Sequence, residues 1–110
     1  MAGLCCGEPN ITSWDILRNH VNCFVSAEDN VTRLGMRMLS APIKGDPQVV
    51  SGESGAVPFG VLASIMKDPK YADLKKELKL DSNSKVLLFS TEGNTDPERY
   101  ENIVWDGKDR

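Results

Sequence analysis

A chain of 110 residues can hold one domain or part of one around a modest core, and it is too short for a complete large enzyme. Hydrophobic residues at 40% and charged residues at 26% describe an ordinary globular sequence and exclude a disordered or fibrous one. A formal net charge of -3 excludes the concentrated positive field that a phosphate backbone requires, so nucleic acid is not an expected partner.

The opening through Gly7-Glu8-Pro9-Asn10 carries loop residues and no apolar period. It has no basic n-region and no apolar run approaching the roughly 20 residues that cross a bilayer, so a cytoplasmic location without a membrane partner is expected. Thr12-Ser13-Trp14-Asp15 then resembles a capping box, and Trp14, Leu17, Val21 and Phe24 fall on one helical face. Ser26-Ala27-Glu28-Asp29 signals a second start, followed by an apolar stripe of Val31, Leu34, Met38 and Leu39. Pro42 and Lys44-Gly45-Asp46-Pro47 break that pattern, and Gln48-Val49-Val50 is a short β-prone stretch.

From Ser54 the composition predicts a third helix, with Val57, Val61, Leu62, Ile65 and Met66 on one face, Pro58 near the first turn, and Asp68-Pro69 at its end. Tyr71, Leu74 and Leu78 define the next helix, whose wet side is Lys75, Lys76, Glu77 and Lys79. Lys85-Val86-Leu87-Leu88-Phe89 is too short and too continuously apolar for a helix and reads as a strand covered on both faces. A last short helix is predicted over Asp96 to Val104, with Pro97 in its first turn. The order of elements favours an α/β fold of short parallel strands with helices packed on the sheet, although two strands lack the neighbours that close one.

Two polar, Gly-containing turns could carry chemistry, because ligands of open α/β sheets collect beyond the carboxyl ends of strands. Ser51-Gly52-Glu53-Ser54-Gly55-Ala56 leads into a helix N-terminus, where small residues admit a ligand and free N–H groups favour an anion. Ser90-Thr91-Glu92-Gly93-Asn94-Thr95-Asp96 follows the apolar run. By spacing alone purely structural turns, with Ser54 capping the third helix and Asp96 the last, are the commoner use of these residues. Three cysteines make no disulfide framework, and His20 with Cys23 lacks the second ligand pair of a zinc site, so no metal is expected.

Taken together and in order, Met1 to Asn10, Gly35-Met36-Arg37-Met38-Leu39, Asp46 to Ala56, Ser90 to Asp96, and Val104-Trp105-Asp106-Gly107 resemble the diaminopropionate ammonia-lyases over essentially the whole chain. Those are fold-type-II pyridoxal-phosphate enzymes related to threonine dehydratase and the tryptophan synthase β subunit. The resemblance implies that residues 1–110 form a single, partial C-terminal α/β region of the large domain. The implied reaction is α,β-elimination of 2,3-diaminopropionate to pyruvate and ammonia, with pyridoxal 5'-phosphate as cofactor, a small amino acid as substrate and a homodimer or other self-association as the assembly.

By the same resemblance, Thr91 pairs with the pyridine nitrogen, with Ser90 as second choice, and Glu53, Ser54 and Gly55 lie near the ring. Glu53 meets Ser54 without the intervening proline of the dehydratases, a departure from their pattern. The family's Schiff-base lysine and phosphate-cradling Gly-rich loop lie N-terminal to the matching region, so neither catalysis nor covalent cofactor binding is expected of this chain alone. Two other readings stay open: a free-standing, non-catalytic interaction module derived from such an enzyme, and part of a threonine or serine dehydratase-like enzyme.

Overall fold

A computed structural model describes residues 1–108; Asp109 and Arg110, the last of the expected 1–110 unit, lie outside the described residues. Five helices follow in order: α1 Ile11–His20, α2 Asp29–Ser40, α3 Glu53–Lys67, α4 Ala72–Glu77 and α5 Pro97–Val104. Short 3-10 turns span Ala2–Leu4 and Pro69–Tyr71.

The centre of the fold is the crossing of α2 over α3, and two glycines set how close it comes. A Cβ built on Gly35 would stand 2.1 Å from the Ala56 carbonyl oxygen, and one on Gly60 would stand 2.1 Å from that of Val31. Backbone therefore meets backbone, with no room for any side chain between the helices. Helix α5 closes one flank of this pair, so that Met36, Ala56 and Ile103 form a buried cluster with Leu39, Tyr100 and Val104 packed against it. Ile65 is the other buried apolar side chain.

The expectation of an α/β sheet is overturned. Among the described residues there is no strand: neither Gln48-Val49-Val50 nor Lys85 to Phe89 joins a ladder. A strand exists by exchanging backbone hydrogen bonds with a neighbour about 4.8 Å away. The amides and carbonyls of Val86 to Phe89 bond no other described residue, and Leu87 and Phe89 are 77% and 73% exposed. An apolar run encodes the tendency to pair, but the pairing itself needs a second segment that these residues do not supply.

The apolar stripe of α2 is also displaced. Thr32, Gly35 and Met36 are its buried residues, whereas Val31, Leu34 and Met38 stay only partly covered and line an open cleft of about 570 Å³ with Val61, Ile65, Tyr71 and Leu74. The close approach at Gly35 turned the side of α2 that carries Thr32 and Met36 inward, and Val31, Leu34 and Met38 were left beside the crossing. Helix α1 carries Trp14 and Leu17 of the predicted face but ends before Val21 and Phe24, and it touches no other helix; the Trp14 ring lies near that of Phe24, with centroids 6.3 Å apart.

Helix ends follow local rules with shifts of a few residues. Asn10, not the Thr12 box, caps α1, its Oδ1 accepting from the amides of Thr12 (2.9 Å) and Ser13 (3.3 Å). Asp96 caps α5 as expected, accepting from the Arg99 amide at 3.1 Å, with Pro97 in the first turn. Helix α3 starts at Glu53 behind Gly52, so Ser54 is not its cap and Pro58 falls in the second turn, where its missing N–H leaves the helical bond to the Ser54 carbonyl unmade.

Beyond α4 the chain reverses at Lys79, whose φ of 54° is left-handed, with the Leu80 amide bonded to the Lys75 carbonyl at 3.0 Å. Glycine relieves the Cβ clash at such a position. Lys79→Gly is expected to raise stability by roughly 0.5–1 kcal/mol, since relief of left-handed strain exceeds the added unfolded-state entropy; an unchanged or lowered midpoint in urea denaturation would contradict this.

No described helix is long and apolar enough to cross a membrane. His20 ends α1, and Cys5, Cys6 and Cys23 are exposed free thiols.

Candidate functional site

The two polar turns meet at the N-terminus of α3. Ser51, buried, sits just before the helix, and its Oγ lies 2.9 Å from Ser90 Oγ and donates to the Gly52 carbonyl at 3.1 Å. One residue on, the Gly52 amide donates to the Glu92 carbonyl at 2.9 Å. Two bonds thus tie segments 39 residues apart in sequence.

Gly55 makes this approach possible. A Cβ there would lie 2.4 Å from both Ser51 Oγ and Ser90 Oγ and 2.7 Å from Ser90 Cβ. A Cβ on Gly52 would come within 2.9 Å of the Glu92 side chain and the Gly93 carbonyl. Both glycines are needed because the second turn lies directly on the first.

Beside the junction is a cleft of about 150 Å³ whose walls include Gly52, Glu53, Glu92, Thr95, Arg99 and Tyr100. Glu53 occupies the first position of α3, where the helix dipole favours a carboxylate. Its Oε1 stands 2.9 Å from Arg99 Nε, an ion contact whose N–H is not aligned for a hydrogen bond, while Oε2 is buried with no hydrogen-bond partner among the described residues. A buried carboxylate oxygen lacking a donor is costly. Across the cleft, Glu92 accepts from the Thr95 hydroxyl.

Of the residues singled out from sequence, Glu53, Gly55 and Ser90 come together here, and Ser54 lies half-buried in the same helical turn. Thr91 is exposed and is not among the residues lining this cleft, and its hydroxyl bonds no other described residue. Ser90, by contrast, is engaged by Ser51. The larger cleft between α2, α3 and α4 contains none of these residues.

Sequence reasoning missed Arg99. One signal was available, because a cation in the first turn of α5 opposes the helix dipole and is better explained by a specific anionic partner than by helix stability. Which anion it meets depends on how α5 folds back over α3, and no local pattern carries that.

No family model matches the chain. Among curated proteins it is 51% identical over 109 residues to the diaminopropionate ammonia-lyase of Salmonella typhimurium, covering 98% of this chain and 27% of that protein. Among solved structures it is similar to Escherichia coli diaminopropionate ammonia lyase in complex with an aminoacrylate-PLP azomethine reaction intermediate, at 50% identity and a TM-score of 0.91, covering 98% of this chain and 29% of that one. The same enzyme in complex with D-serine matches with the same identity and TM-score. The chain is homologous to diaminopropionate ammonia-lyases over nearly all of its own length and spans about 27% of theirs.

Proposed function

We propose that this chain is the C-terminal portion of a cytoplasmic, pyridoxal-phosphate-dependent lyase that eliminates ammonia from 2,3-diaminopropionate to give pyruvate, and that it supplies one wall of the cofactor site. The observation that carries this reading is the 0.91 TM-score at 50% identity to a lyase structure holding a PLP-bound intermediate. The convergence of Glu53 and Gly55 with Ser90 adds support from the chain's own geometry.

The residues present suit one edge of a pyridine ring. Thr91, whose hydroxyl bonds no other described residue, would be the donor to the ring nitrogen, a partner that would leave that nitrogen without a proton of its own; Ser90, paired with Ser51, would fix the adjoining backbone. Gly52 and Gly55 let the two turns close without side chains between them. Arg99 holds Glu53 through Oε1, and Oε2 remains to accept a hydrogen bond from a donor on the cofactor or on the substrate's ammonium groups. Bound pyridoxal phosphate supplies the electron sink that α,β-elimination requires.

On this reading the Schiff-base amine and the phosphate loop are supplied by polypeptide outside this chain, and the chain alone is expected to be inactive. In the assembled enzyme, on this reading a homodimer or other self-association, residues 1–110 contribute binding and orientation rather than the covalent step.

The test is a chimera in which residues 1–110 replace the matching segment of the Escherichia coli lyase. It is expected to release pyruvate from diaminopropionate, whereas the purified chain with pyridoxal phosphate releases none. In the chimera, Thr91→Ala is expected to lower kcat by more than tenfold, about 1.4 kcal/mol. An inactive but folded chimera would sink the reading, and so would turnover by the chain alone. Because a relative is seen with D-serine, that amino acid belongs in the same assay; preferential turnover of a hydroxyl-bearing substrate would move the reading to a dehydratase.

A further inference from the structure

A third cleft, of about 360 Å³, lies between α2 and α5, and its walls carry Arg33, Arg99 and Lys108 together with Asp96 and Glu98. Arg33 stands one helical turn before the buried Met36, on the side of α2 that α5 covers through Ile103. Its Nε is buried and has no acceptor among the described residues, and no described carboxylate forms an ion pair with its guanidinium. An N–H shut away from water without an acceptor loses its full hydration, and in native folds such a group is met by an ordered water or an ion.

Arg99 reaches the same cleft from α5. Its Nε faces Glu53 Oε1, while Nη2 has only the Met1 thioether, a weak acceptor, at 3.5 Å. The other charges are mostly engaged: Lys108 donates to Asn102 Oδ1 and lies 3.5 Å from Asp106, and Asp96 accepts from the Arg99 amide. Glu98 pairs with neither arginine.

We infer that Arg33 and Arg99 form a binding site for a phosphate group between α2 and α5. Two planar guanidiniums present two forks of N–H donors. A tetrahedral phosphate has oxygens enough to meet both, whereas a single carboxylate is filled by one fork. Ile103, buried in the same wall, lowers the local dielectric and strengthens the contact over a fully solvated pair. Glu98 opposes the anion and weakens its hold. Every group in the site belongs to this chain, so the site is independent of the lyase reading.

The test titrates the 15N-labelled 110-residue chain with inorganic phosphate at constant ionic strength and follows the arginine Nε–Hε resonances, assigned through Arg33→Lys and Arg99→Lys. Both signals are expected to shift saturably, with half-saturation at about 1 mM. Arg33→Gln is expected to weaken binding by at least about tenfold, the loss of a charged hydrogen bond. Arg33→Lys keeps the charge without the fork and is expected to weaken it too, while Glu98→Gln tightens it. Glycerol 3-phosphate, run in parallel, separates the sources: tighter binding than inorganic phosphate assigns a phosphate ester, and weaker binding assigns the free ion. Absence of a saturable shift overturns the inference. So does acetate binding as well as phosphate, or parent affinity in both Arg33 variants.

Discussion

Gly60→Ala is expected to lower the stability of the chain by about 3 kcal/mol, the upper end of the overpacking range. Alanine at a helix interior ordinarily gains about 1 kcal/mol over glycine, so intrinsic propensity acts in the opposite direction. The contact decides the sign. The new Cβ would stand 2.1 Å from the Val31 carbonyl oxygen and 3.0 Å from its carbon, and both are backbone atoms of α2 that cannot rotate away. Relief requires α2 and α3 to separate, which loosens Met36 and Ala56 on the same pair of helices. With four buried apolar side chains among the described residues, there is little stability to lose. Urea denaturation followed by circular dichroism reads the effect; a midpoint equal to or above that of the parent would show that the helices are not in backbone contact. Gly35→Ala, 2.1 Å from the Ala56 carbonyl oxygen, tests the same crossing from the other helix.

Gly55→Ala acts on the site. Its Cβ would lie 2.4 Å from both serine hydroxyls, so the Ser51–Ser90 pair must open and the second turn must lift off α3. Thr91 follows Ser90 directly and moves with it. In the chimeric lyase a displacement of this kind is expected to weaken pyridoxal-phosphate binding by at least tenfold, about 1.4 kcal/mol. Ser90→Ala is the comparison, since it deletes one hydrogen bond, worth about 1 kcal/mol, without forcing the turns apart. Absorbance titration with the cofactor separates the two: equal affinity for the Gly55→Ala variant and the parent would mean that the junction does not position the ring, whereas a large loss in Gly55→Ala with a small one in Ser90→Ala matches the geometry.

The helices were legible because their signals are local. Asp96 with Pro97 starts α5 where the residue types demand it, and the apolar periods mark α1, α2 and α3 within a few residues of their observed ends. The two Gly-containing turns could also be singled out as candidates, since glycine beside a helix start implies close approach. Arg99 could not be assigned to Glu53 this way, because their pairing joins the first turns of two helices 46 positions apart in the chain.

Backbone and capping preferences within a few residues set where helices form and where turns permit close contact, and residue types alone mark which run is apolar. Tertiary structure alone decided which side of α2 is buried and whether the apolar run becomes a strand. Gly35 and Gly60 brought the backbones of α2 and α3 together and left Val31, Leu34 and Met38 beside an open cleft. Lys85 to Phe89 stayed unpaired because burial and ladder formation are properties of two surfaces, and among the described residues the second surface is not there.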